Sequence, residues 1–187
     1  VKTIVLNIRG TNGSGKTHLV RSLMKQVGSE PHPRRRNLFG GDALSGPVEY
    51  YVLGDGGIVL GNYETNCGGC DTMGSFERIK GAIRARLYEH PPYLIFEGVV
   101  VSTVFNSWLE FSRSIGGMTW VFLSTPLDVC FERVYGRNRG ARIGEDLVSE
   151  KYRAIDNVRL KAIEVGEKVS VLDWRNPLPP FVKLARP

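Results

Sequence analysis

Gly10-Thr11-Asn12-Gly13-Ser14-Gly15-Lys16-Thr17 is the stretch that decides the fold. It is a complete G-x-x-x-x-G-K-[ST] phosphate-binding loop with the right flanks. Ahead of it, Thr3-Ile4-Val5-Leu6-Asn7-Ile8 is rich in β-formers. Behind it, Leu19, Val20, Leu23, Met24 and Val27 fall on one helical face. The pattern predicts a strand over 2–9, the loop over 10–17 and a helix over 16–28. Gly10, Gly13 and Gly15 permit a turn that a Cβ would forbid. The amides of the loop, Thr11, Asn12 and Ser14 among them, then converge on a phosphate at the positive end of the helix. In such a cradle Lys16 reaches the β- and γ-phosphates of a nucleoside triphosphate, and the Thr17 hydroxyl holds Mg2+. The bland alternative is an ordinary Gly-rich turn, which the strand and helix on either side argue against.

The 187 residues suit a single domain with its own core. With 42% hydrophobic and 24% charged residues, the composition is that of a soluble globular protein. No stretch approaches a membrane span, and the chain enters its first strand at once, so no leader segment is expected. Cys67, Cys70 and Cys130 are an odd, small set, which suggests reduced thiols and a cytoplasmic setting. A formal net charge of +6 favours an acidic partner, either nucleic acid or nucleotide phosphate.

Outward from the loop, strands and helices alternate. Residues 48–53 and 58–60 flank Gly54-Asp55-Gly56-Gly57 and predict a hairpin. A helix starts near Ser75, with Phe76, Ile79, Ile83 and Leu87 as its apolar stripe and Arg78, Lys80, Arg84 and Arg86 elsewhere. Residues 93–97 form a buried strand, 102–115 a helix and 118–123 another strand. Thr125-Pro126 opens a further helix. A long helix spans about 146–165, a last strand 169–173, and the end from Pro177 to Pro187 reads as extended. The continuous apolar strands predict an α/β, three-layer fold with a mostly parallel, five-stranded sheet. A hairpin insertion is expected over about 38–74, and 133–145 is rich in arginine.

A phosphate loop alone says only that a nucleoside triphosphate is bound. Glu97 ends an apolar strand, where an acid can hold Mg2+ or assist an acceptor oxygen; otherwise it is a solvated strand end. Arg133, Arg137, Arg139 and Arg142 offer bidentate positive charge to a transferring phosphoryl group, or else a helix end favourable to its dipole. GTPase chemistry is disfavoured: N-K-x-D is absent, and the D-x-x-G at Asp71–Gly74 does not follow an apolar strand. The acceptor-handling segment falls in the hairpin and the loop after it. Asp71 is the first choice for the group that orients the acceptor hydroxyl and takes its proton, with Asp42 its rival. Both residues are also common turn formers. Cys67, Gly68 and Gly69 suit a close-fitting loop against a base or sugar. Tyr63 and Tyr50 are candidates to stack on that base, though tyrosines are also ordinary strand residues. Cys67-x-x-Cys70 lacks the two further ligands that structural zinc requires. Arg34-Arg35-Arg36 and Arg78 on the basic helix would suit a polymeric phosphate substrate, or simply a solvated charged face.

The whole chain resembles the nucleoside-monophosphate-kinase-like superfamily of P-loop proteins, through residues 10–17, Phe96-Glu97-Gly98 and the Arg133–Arg142 segment. The resemblance to nucleotide kinases implies that the insertion over about 38–74 handles substrate and that 133–145 is a lid. More narrowly, its compact size and the run Asn62-Tyr63-Glu64-Thr65-Asn66-Cys67-Gly68-Gly69-Cys70-Asp71 resemble bacteriophage 5-hydroxymethyluracil DNA kinases. The resemblance implies ATP and Mg2+ as cofactors and modified DNA as substrate. It places the protein in the host cytoplasm and makes the base hydroxymethyl group the acceptor. Such a base must leave the duplex or be single-stranded. Phosphorylation of a free nucleoside, nucleotide or other small alcohol is the enzymatic alternative. A non-catalytic, nucleotide-dependent DNA adaptor is the alternative of another class.

Overall fold

The computed structural model describes residues 2–33, 48–64, 68–137 and 144–186. In chain order the elements are β1 (Ile4–Arg9), α1 (Lys16–Val27), β2 (Ser29–Pro33), β3 (Val48–Leu53) and β4 (Ile58–Leu60). A single 3-10 turn (Cys70–Met73) follows, then α2 (Phe76–Leu87), β5 (Tyr93–Glu97), α3 (Val99–Thr103), α4 (Asn106–Ser114) and β6 (Thr119–Leu123). The chain closes with α5 (Leu127–Arg137), α6 (Glu145–Glu164), β7 (Lys168–Leu172) and α7 (Leu178–Ala185).

Five parallel strands, in the order β4-β5-β1-β6-β7, form the centre of the sheet. Both their faces are covered, which is why β5 and β6 are buried along their whole length. Successive side chains of β1 feed opposite cores. Val5 joins Phe96, Trp108 and Trp120 on the side of α2, α4 and α6. Leu6 and Ile8 join Leu19, Leu23 and Phe181 on the side of α1 and α7. The carboxyl ends of the parallel strands lie along one edge, so the loops after β1, β4, β5 and β6 gather there.

Four differences from the sequence reading have physical causes. Among the described residues the sheet has seven strands rather than five, because the hairpin does not stand apart. Its second strand, β4, pairs parallel with β5, and β3 and β2 extend the sheet antiparallel. Pro31 and Pro33 suggested a loop, yet they lie in β2 at the sheet edge, where a missing N–H costs nothing. The helix expected over 102–115 is two helices, and the first begins earlier, at Val99. Its β-branched run Val99-Val100-Val101 is a poor helix former by itself, so the helix depends on a cap supplied from elsewhere. Finally, the end read as extended contains α7, whose prolines occupy the first turn and whose Phe181 and Ala185 are buried.

Candidate functional site

The loop after β1 delivers unsatisfied backbone donors. Gly15 caps α1 with no side-chain hydrogen bond, so the first amides of the helix remain available. Gly13 sits at φ 79° against α5; a Cβ there would lie 2.4 Å from the Cys130 carbonyl oxygen. Thr125 ties the loop from the other side, its hydroxyl donating to the Ser14 carbonyl at 2.7 Å. Lys16 is buried, and its Nζ donates to the Gly10 and Thr11 carbonyls at 2.8 and 3.2 Å. Burial lowers its pKa, while the nearby Glu97 and Asp71 raise it. The buried Oγ of Ser14 and Oδ1 of Asn12 have no partner among the described residues.

Thr17, one residue on, donates its hydroxyl to Glu97 Oε1 at 2.9 Å. Glu97 is 1% exposed at the end of β5. Burial pushes its pKa up to about 7, against the pull of Lys16 and the Thr17 hydrogen bond. Gly68 and Gly69 lie directly on this pair. A Cβ on Gly68 would come within 3.0 Å of Thr17 Cγ2, and one on Gly69, at φ 84°, within 2.5 Å of Glu97 Oε1. The paired glycines therefore let the backbone close over a buried carboxylate.

Asp71 stands two residues further on, exposed at the rim of the same cavity. Its Oδ2 accepts from the Val99 amide at 2.8 Å and its Oδ1 from the Val100 amide at 3.1 Å. This is the external cap that α3 needs. The cavity measures about 400 Å³ and brings together Lys16, Thr17, Asp71, Glu97, Arg133 and Arg137. Arg133 donates to the Gly13 carbonyl at 3.2 Å and lies over Trp174, 4.9 Å from its ring centre.

Other sequence candidates fall elsewhere. Tyr63 is 6% exposed, edge-on to Tyr51 at 5.9 Å, so its ring packs in the core rather than facing the cavity. Tyr50 stacks on His32 at 4.8 Å, within the sheet extension. Arg78 pairs with Glu49 at 3.7 Å and is not among the cavity's lining residues. Asp42, Arg34 with its neighbours Arg35 and Arg36, Cys67, Arg139 and Arg142 lie outside the described residues. Five lining residues escaped the sequence reading: His18, Arg21, Val99, Val100 and Lys151. Arg21 was the discoverable one, since it lies one helical turn beyond Thr17. Its Nε and Nη2 donate to the Tyr63 carbonyl at 3.2 and 2.7 Å.

Among the described residues no three His, Cys, Asp or Glu side chains cluster as a metal site. The Thr17 hydroxyl and Glu97 carboxylate do form an adjacent pair of hard oxygen donors, which suits Mg2+ shared with phosphate and water. Among the described residues no helix is long and apolar enough to cross a membrane.

Residues 2–172 match the family model described as 5-hmdU DNA kinase. The chain is 41% identical over 180 residues to the 5-hmdU DNA kinase of Pseudomonas phage M6, covering 92% of each chain. It is 39% identical over 139 residues to that of Pseudomonas phage PaMx11, covering 73% of this chain and 70% of the other. Among solved structures, a gluconokinase from Sinorhizobium meliloti 1021 aligns with 98% of this chain and 89% of its own, at a TM-score of 0.48 and 17% identity.

Proposed function

The chain belongs to the 5-hmdU DNA kinase family, and on that premise we propose that it moves the γ-phosphoryl group of ATP onto the hydroxymethyl oxygen of 5-hydroxymethyluracil in DNA. The observation that carries the site assignment is Glu97: a buried carboxylate with a pKa near neutrality, hydrogen-bonded to the phosphate-loop Thr17 and roofed by Gly68 and Gly69.

The loop amides at 10–15 and the start of α1 bind the triphosphate tail. Lys16 exchanges its two loop carbonyls for phosphate oxygens, and Arg133 and Arg137 supply further charge to the group in transfer. Thr17 and Glu97 would hold Mg2+, which would supply neutralising charge to the phosphates. The acceptor hydroxyl, seated beside Glu97, attacks the γ-phosphorus. The bond from that phosphorus to the bridging oxygen breaks and ADP departs. The hydroxyl proton passes to the Glu97 carboxylate, which lines the cavity beside Thr17. The product is a phosphomonoester on the base. A base inside a duplex cannot reach a carboxylate this deep, so the nucleotide is presented unstacked. The relatives' phage origin supports a setting with phage DNA in the host cytoplasm.

Label transfer from γ-labelled ATP tests the proposal. Label should enter an oligonucleotide containing 5-hydroxymethyluracil and leave thymine DNA unlabelled. Label entering only the free nucleoside would instead support the small-alcohol kinase.

A further inference from the structure

Asp71 lines the cavity, and each of its oxygens already accepts an amide of α3. At its far end, α3 grips the phosphate loop. The Gly10 amide donates to Ser102 Oγ at 3.3 Å, and Ser102 Oγ in turn donates to the Gly98 carbonyl. Arg9, the residue just before the loop, is fully buried with no carboxylate partner among the described residues. Its Nη1 donates to the Ser102 and Val104 carbonyls, each at 3.1 Å. Its guanidinium lies 4.0 Å from the Trp120 ring centre. The Asn7 amide oxygen, oriented to satisfy both groups, accepts from Nη2 and Nε at 2.9 and 3.2 Å. A buried cation held this way fixes the backbone around it, because each donor left unmade would be costly. One short helix thus joins the turn that covers Glu97 to the residue that launches the phosphate loop.

We propose that Asp71, Ser102 and Arg9 are positioning residues that act through α3, holding the acceptor-side turn at 68–73 and the phosphate loop as one unit, and that Asp71 takes no proton during transfer. The statement about proton transfer rests on the kinase reading above; the coupling through α3 does not.

Two measurements test it. The first is kcat with 5-hydroxymethyluracil DNA for Asp71→Asn and Asp71→Ala. Asparagine keeps one acceptor oxygen for the two amides of α3 and alanine keeps none, so Asp71→Asn should lose less than Asp71→Ala and stay within about tenfold of the parent. Asp71→Ala, which loses the cap, should fall by about 10²-fold, as misplacement of reacting groups does. A loss in Asp71→Asn of about 10³-fold, in the range of a missing general base, would overturn the proposal.

The second is amide hydrogen exchange of the ligand-free protein. Asp71→Ala and the milder Ser102→Ala should speed exchange in residues 10–15 as well as 98–104, with thermal unfolding confirming that each variant is folded. Faster exchange confined to 98–104 would show that α3 does not brace the loop. This second readout involves no chemistry. A parent enzyme that fails to phosphorylate DNA, in variants that still loosen both segments, would count against the kinase reading and leave the coupling standing.

Discussion

Glu97 costs the ligand-free protein stability, and the sign of that cost can be worked out. Its folded pKa is about 7 against an ordinary 4.5. Between those values the folded state binds the extra proton, so stability falls as pH rises through that window. A shift of this size corresponds to about 3 kcal/mol. Glu97→Gln should therefore flatten the dependence of the melting temperature on pH between 5 and 8 and leave the variant more stable than the parent at pH 8. The same variant should lose about 10²–10⁴-fold in kcat, the range for removal of a general base. Stabilisation without loss of activity would deny Glu97 its role. Lys16, Thr17 and Glu97 were legible because motif spacing and a strand-end position specify them. The hydrogen bonds that tie Asp71 to α3 were not, because the two amides come from a distant segment.

Elements divide along the same line. β1, α1, β5 and β6 could be read because their apolar periods record what they bury. β2 and α7 could not, since their prolines signal interruption until the sheet edge or the first helical turn is known to accommodate them. α3 is the hardest case: its residues oppose a helix and Asp71, 28 positions upstream of Val99, supplies the cap. The turn at Gly68-Gly69 makes the most exacting demand on sequence. Gly69→Ala would place a methyl group within 2.5 Å of Glu97 Oε1 at a φ of 84°. It should reduce activity by about 10²-fold through displacement of the turn and lower the melting temperature. Wild-type activity in that variant would mean that the turn need not lie against Glu97.

For the molecule as a whole, the candidate site and the hydrogen bonds around Asp55 sit at opposite ends of the parallel strands. Away from the cavity, Asp55 in the hairpin turn accepts from Tyr93 Oη at 2.9 and 2.8 Å on its two oxygens, from the Gly57 amide at 3.2 Å and from Arg186 after α7. Asp55→Ala should cost about 1–3 kcal/mol in urea unfolding by stranding the Tyr93 hydroxyl, with kcat unchanged. A proportionate fall in kcat would tie that end of the sheet to the chemistry. The net charge of +6 bears on DNA rather than on the fold. The KM for modified DNA should climb with salt, with a log–log slope of about 0.7–0.9 per phosphate contacted, while the KM for a free nucleoside stays nearly flat. Equal salt dependence for both would remove the polymer from the recognition.

The most direct test is mass spectrometry of nucleosides released from 5-hydroxymethyluracil DNA after incubation with the protein, ATP and Mg2+, beside a Glu97→Gln control. A phosphomonoester on the base hydroxymethyl group is expected with the parent protein, and little of it with the control. Unmodified 5-hydroxymethyluracil in both samples, or equal product from both, would contradict the account.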